Sequence, residues 1–265
     1  MPTRALNPNY RHIMQAKNTE NPDAILKEYD EWHKQMKSSG ETASPLEHPW
    51  YESVFREIQN YPACRVLEVG CGRGGFAMWL SKKMPQFRIV GLDFSLAAIE
   101  IARESAATQE SSVEFVQGDA EALPFGDAQF DLIISCECME HVPHPPQMAK
   151  EMARVLKPGG RFCLTTENYL NGMILGWLHS WLTGRPLDTG SGVQPRENFF
   201  FFWMIRRYLH EAGLNVTGME SSHYQWLLLP RVNPAKLCTE QFNNSLLRCL
   251  AFPFGRHASF FGHKP

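Results

Sequence analysis

From Arg65 onward the chain alternates short apolar runs with amphipathic stretches, and that alternation predicts its architecture. Strands are expected at Arg65–Val69, Arg88–Asp93, Val113–Gln117, Asp131–Cys136 and Gly160–Thr166. Helical patterns separate most of them, at Phe76–Lys83, Ser95–Ser105 and Pro146–Leu156. Alternating units of this length imply a parallel sheet with helices on both faces, an α/β fold of Rossmann-like type. Lys157-Pro158-Gly159-Gly160 reads as a stop and a tight turn that returns the chain into the fifth strand.

The flanking segments have different patterns. Residues 1 to about 20 are polar and aperiodic, an arm that is either mobile or closes over a site. Asn21-Pro22-Asp23 has the chemistry of a helix start. Ile25, Tyr29, Trp32 and Met36 then repeat at helical spacing, until Ser38-Ser39-Gly40 ends the run. A second helix is expected from Pro49 to Gln59, with Tyr51, Val54, Phe55 and Ile58 on one face. Both stripes suit packing on the core, and a lid carrying Tyr29 or Trp32 to a substrate is the alternative. Beyond Thr166 come an apolar, tryptophan-bearing segment (Leu170–Leu182) and a glycine-rich loop from Gly184 to Gly192. A helix at Phe199–Ala212 and strands at Leu214–Glu220 and His257–Gly262 follow. The chain thus divides into a helical arm or lid, 1–60, and a main domain, 61–265, with cap insertions at about 167–198 and 225–253.

Composition narrows the function. Hydrophobic residues make up 43% of 265, enough for a full core. A formal net charge of −2 offers no basic stripe for nucleic acid. Seven scattered cysteines do not form a disulfide framework, and Cys136-Glu137-Cys138 lacks a second pair at zinc spacing. With no signal peptide and no bilayer-length apolar run, a cytoplasmic location is expected.

The richest chemistry lies in Val66-Leu67-Glu68-Val69-Gly70-Cys71-Gly72-Arg73-Gly74-Gly75, a strand running into a glycine turn. Such a turn opens a ligand crevice at the carboxyl end of a strand. Glu68, two residues before the first glycine, would repel a pyrophosphate and attract an ammonium or sulfonium group, which argues against nicotinamide and flavin cofactors. Asp93 ends the second strand, where an acid accepts hydrogen bonds from ribose hydroxyls. Gly118-Asp119-Ala120-Glu121 follows the third strand, and Cys136-Glu137-Cys138-Met139-Glu140-His141 ends the fourth.

Taken together, these residues resemble the class I methyltransferases that use S-adenosylmethionine, in the small-molecule branch of the ubiquinone and menaquinone biosynthesis enzymes. The resemblance runs from Arg65 to Thr166. It rests on Glu68–Gly74, on Gly118–Phe125 leading to Phe130-Asp131, and on Arg154–Gly160. It implies a seven-stranded sheet of order 3-2-1-4-5-7-6 whose last strand is antiparallel. It also assigns Glu68 to the methionine ammonium, and Gly70, Cys71, Gly72 and Gly74 to the methionine and ribose. Asp93 would take the ribose hydroxyls, Phe94 the adenine face, and Asp119 with Ala120 the adenine amino edge. Cys136 and Glu137 would border the sulfonium. The product would be S-adenosylhomocysteine.

The acceptor half is less determined. An oxygen acceptor usually needs a base, and His141 is the best-placed candidate, with His144 and His223 behind it. No metal site is assigned: Glu167-Asn168 is close to the acidic pair of catechol-type enzymes, but Ser135 and Cys136 hold the place of the other acid. Glu137 could serve only with a shifted register. The apolar insertions suggest a partly apolar or aromatic small molecule methylated on oxygen or nitrogen. Carbon methylation of a quinone or lipid at a membrane surface, or an inactive cofactor-binding subunit, are the alternatives. Peripheral membrane contact and a monomer or homodimer fit either.

Overall fold

The computed structural model describes residues 21–37, 49–168, 182, 198, 200–224 and 255–265. Residues 1–20 and nearly all of both insertions lie outside the described residues, together with the acceptor-side surface expected of residues 170–181 and 226–229.

A single sheet organises the rest, in the order β3-β2-β1-β4-β5-β7-β6. Its strands are β1 (Arg65–Val69), β2 (Arg88–Asp93), β3 (Glu114–Gln117), β4 (Phe130–Cys136), β5 (Leu156–Glu167), β6 (Asn215–Tyr224) and β7 (Gly255–His263). The first five pair in parallel, whereas β7 runs antiparallel to both β5 and β6, as the resemblance implies. The central strands are near-continuous apolar runs because helices cover both faces: Val66, Leu67 and Val69 of β1 and Leu132, Ile133 and Ile134 of β4 are buried. Those helices are α3 (Gly75–Lys83), α4 (Leu96–Thr108), α5 (Pro145–Val155) and α6 (Phe202–Glu211). Two more precede the sheet, α1 (Pro22–Lys37) and α2 (Pro49–Ile58).

Expected and observed bounds agree closely, with one instructive difference. The Lys157–Gly160 turn is a bulge inside β5, not a break before it. Phe130 pairs with Leu156 but Leu132 with Arg161, so the extra residues loop out of β5. Gly159 permits this with φ 74°. The bulge is pinned from the far end of the chain. Gly159 N donates to Lys264 O (2.8 Å), and the Lys264 ammonium donates to the carbonyls of Ala153 and Leu156.

Candidate active site

The parallel strands end on a common edge, and the glycine turn after β1 is built there by backbone hydrogen bonding. Gly70 N and Cys71 N both donate to Leu92 O, holding the turn against β2. Gly72 N donates to Asp93 Oδ2 at 2.8 Å, and Ser95 N donates to Asp93 Oδ1 at 2.9 Å. Asp93 therefore fixes both the glycine turn and the entry to α4. Each of its oxygens keeps a further lone pair for a ligand hydroxyl. The glycines serve different ends. A Cβ on Gly70 would lie 2.4 Å from Cys138 Sγ, so packing demands this glycine, and its φ of 76° reinforces the demand. A Cβ on Gly72 would meet only His33 Cε1, at 3.8 Å, so this part of the turn stays approachable. Gly74 sits under the Phe115 ring at the start of α3, and the Cys71 thiol is buried with its pKa pushed well above the ordinary value by desolvation.

Glu68 carries the electrostatics. Its side chain is buried, and one oxygen, Oε2, has no hydrogen-bond partner among the described residues. Burial first, and the Asp93 charge second, push its pKa up to about 8, against a hydrogen bond from Ala77 N–H. An orphaned carboxylate oxygen beside a glycine turn fits the ammonium group of a bound amino acid, which would supply both hydrogen bond and charge. Asp119 caps its own turn, its Oδ1 accepting from Glu121 N at 2.8 Å, with Ala120 buried beside it. Phe94 is half-buried, and its carbonyl accepts from the Gln117 amide.

The three histidine candidates separate. His144 precedes α5, is exposed, and its Nδ1 lies 2.9 Å from Glu121 Oε2, with its N–H also on that carboxylate. Those contacts explain it as part of the helix entry. His141 is half-buried, with Nε2 4.0 Å from Glu140 Oε1. The His223 side chain lies outside the described residues.

Cys136 is half-buried at the end of β4, and beyond it Glu137 adopts φ 51°. This left-handed conformation, rare for a residue with a Cβ, supplies the change of direction that strand alternation lacks. Glu137 N donates to Thr165 O, and its carboxylate reaches across β5 to β7. Thr165 Oγ1 donates to Glu137 Oε1 at 2.8 Å, and His257 Nδ1 lies 3.0 Å from Oε2. Glu167 pairs in register with His257, so it joins the same group. Aromatic rings from α2 wall this side: Trp50 lies 4.6 Å from the His257 ring, and Tyr51 lies 4.5 Å from Phe76. Burial, with Cys136, Glu68 and Glu137 nearby, pushes the Tyr51 phenol well above its ordinary pKa.

Sequence reading missed His257, Trp50 and His33. His257 carries no local signal, since only strand pairing brings it to Glu137. Tyr51 was legible merely as one residue of an apolar stripe. On α1, His33 approaches the glycine turn, its Cε1 lying 3.8 Å from where a Cβ on Gly72 would sit. Burial first lowers its pKa, opposed by the Asp93 charge.

A seven-stranded sheet of this order, with helices on both faces and an acid-flanked glycine turn at its carboxyl edge, is the Rossmann-like methyltransferase fold. Residues 66–160 of the 265 match the family described as a methyltransferase domain. Over 119 residues the chain is 36% identical to the demethylmenaquinone methyltransferase of Deinococcus radiodurans, covering 45% of this chain and 49% of that one. The chain spans half or less of the length of the curated relatives it matches first. Among solved structures, a methyltransferase of Thermotoga maritima superposes with a TM-score of 0.59 at 20% identity, over 91% of this chain and 100% of that one. The [4+2]-cyclase SpnF does so with 0.59 at 21% identity, over 82% and 81%. Both are likenesses of fold.

Proposed function

We propose that the chain transfers the methyl group of S-adenosylmethionine to an oxygen or nitrogen atom of a small, partly apolar or aromatic metabolite. The orphaned, buried Oε2 of Glu68, set beside the turn that Asp93 clamps, carries this reading. In the reaction a lone pair on the acceptor forms a bond to the methyl carbon while the carbon–sulfur bond breaks. Its electron pair stays on sulfur as the neutral thioether of S-adenosylhomocysteine, and the acceptor gives up its proton. The protein's main task is alignment of donor and acceptor in line. Glu68 would hold the ammonium, Asp93 the ribose and Asp119 the adenine edge, with Cys136 and Glu137 beside the sulfonium. Among the candidate bases His141 is favoured over His144, whose ring is engaged by Glu121.

Trp50 and Tyr51 supply aromatic surface on the proposed acceptor side, which supports an aromatic or apolar acceptor. Similarity to a demethylmenaquinone methyltransferase supports a second reading, methylation of a quinone ring carbon. The cyclase shows that this fold alone does not dictate methyl transfer. Calorimetry with S-adenosylhomocysteine tests the donor half. Binding is expected, and Asp93→Ala should weaken it at least about tenfold, the loss of charge-assisted hydrogen bonds worth about 1.4 kcal/mol or more. Absence of binding by the folded wild type would overturn the proposal, and mass spectrometry of methylated products separates oxygen, nitrogen and carbon acceptors.

A further inference from the structure

We infer that Glu137, Glu167 and His257 form a binding site for one divalent transition-metal cation at the carboxyl edge of the sheet. One ligand atom from each of the three lies within 4.8 Å of the other two. Ligand atoms that share one ion at about 2.0–2.4 Å are at most about 4.8 Å apart, and all three separations meet that requirement. Glu137 Oε2 and His257 Nδ1 are hydrogen-bonded at 3.0 Å, a separation that neighbouring ligands around one metal also have.

The group is built and enclosed. Its members come from three different strand ends: Glu137 just past β4, Glu167 at the end of β5, and His257 in β7. The register of β5 on β7 sets Glu167 opposite His257, and the left-handed backbone of Glu137 turns the third ligand inward. Glu167 and His257 are more than nine-tenths buried, at 8% and 6% exposure. The outer contacts have the character of a support for metal ligands. Thr165 Oγ1 donates to the second oxygen of Glu137, and the Trp50 ring packs on the imidazole.

Donor chemistry selects the ion. Two carboxylates and an imidazole suit Mn²⁺, Fe²⁺ or Zn²⁺. Ca²⁺ prefers six to eight oxygens, and Cu⁺ prefers sulfur. Up to two negative charges from the carboxylates match the double positive charge of such an ion. Three protein ligands leave positions open for water or another oxygen donor. A consequence for catalysis rests on the methyltransferase reading above: an acceptor hydroxyl held in an open position would lose its proton more readily.

The test uses the purified full chain without cofactor. Mn²⁺ is titrated and free ion followed by electron paramagnetic resonance, with Zn²⁺ titrated in parallel by calorimetry. One ion of at least one metal should bind per chain, and Glu137→Gln, Glu167→Gln and His257→Gln should each weaken it about tenfold or more. Near-ultraviolet circular dichroism and thermal unfolding report whether each variant stays folded. Wild-type chain that takes up neither metal would overturn the site, as would binding that folded variants retain. Metal uptake without homocysteine-product binding would instead leave the site standing and remove the methyltransferase reading. Should His257→Gln abolish turnover in a chain that binds no metal, the pair would be an imidazole base oriented by Glu137, and the metal site would be overturned.

Discussion

A single carboxylate illustrates how burial becomes function. Glu68 is desolvated and faces Asp93, and its folded pKa rises from 4.5 to about 8. Below about pH 4.5 the group is protonated in folded and unfolded chains alike and gives no pH dependence. Between 4.5 and 8 the unfolded chain ionises while the folded chain keeps its proton. Stability of the cofactor-free protein should therefore fall as pH rises through that window, and Glu140, also raised to about 8 by burial and then by Glu137, adds to the slope. An ammonium group reaching Oε2 would favour the ionised form, so binding of S-adenosylhomocysteine near pH 7 should expel a fraction of a proton. Calorimetry in two buffers of different ionisation enthalpy measures that release, and urea titrations at pH 5 and 8 measure the stability slope. Glu68→Gln should flatten the slope in part and abolish the proton release. Cofactor binding with no proton change in the wild type would mean that the ammonium sits elsewhere. Glu68 and Asp93 were legible in the sequence because their chemistry depends on position relative to one strand end. Gly70 was legible only in part: a turn glycine was expected to admit a ligand, whereas this one admits Cys138.

At the scale of elements, α1 is joined to the cofactor side of the sheet. Asp30 accepts from Ser95 Oγ and from Ala97 N (3.1 Å), so a carboxylate of α1 lies at the positive end of α4. Ser95 in turn caps that helix through Ala98 N, and its own N–H is held by Asp93. One chain of hydrogen bonds thus connects the arm to Asp93, the residue proposed for the ribose. The amphipathic stripe predicted the helix over 22–37, but not which face would meet the crevice. His33 and Asp30 are polar and fall outside that stripe. Asp30→Ala should raise amide hydrogen exchange across residues 22–37 and weaken S-adenosylhomocysteine binding by about threefold to tenfold, since a lost cap costs about 0.5–2 kcal/mol. Wild-type chain should gain protection in the same helix when the ligand binds. If exchange over 22–37 ignores both ligand and substitution, α1 is only packing on α4 and is no lid.

For the whole molecule, the sheet separates its duties between two edges. The carboxyl edge carries Glu68, Asp93, Glu137 and Glu167, while the opposite edge carries ties that hold the chain together. There Arg65 N and the Lys157 ammonium converge on Asp131, whose pKa burial would raise but these hydrogen bonds bring below the ordinary value. Arg154 donates to Glu151, Asp127 and the carbonyls of Leu123 and Phe125, fastening the loop that follows Asp119 onto α5. This division explains why the sequence pattern around Arg154–Gly160 looked structural and the pattern around Glu68–Gly74 looked chemical. It also explains why the acceptor was unreadable: the wall proposed for it draws on α2, β5 and β7, whose contacts arise only on folding. The Arg154 hub makes a separable prediction. Arg154→Met should cost about 1–3 kcal/mol in urea unfolding, the worth of charge-assisted hydrogen bonds partly screened by solvent. It should disturb S-adenosylhomocysteine affinity far less than Asp93→Ala does. The acid side of the stability profile gives the sharper readout. Glu151 is held below its ordinary value of 4.5, chiefly by the Arg154 hydrogen bond, so its contribution is present above that pH and lost as pH falls through the lower folded value. In Arg154→Met that acid-side loss should shrink, whereas the decline above pH 4.5 set by Glu68 should persist. A variant that keeps the full acid-side loss would show that Glu151 draws its stability from Leu123 N–H and not from the guanidinium.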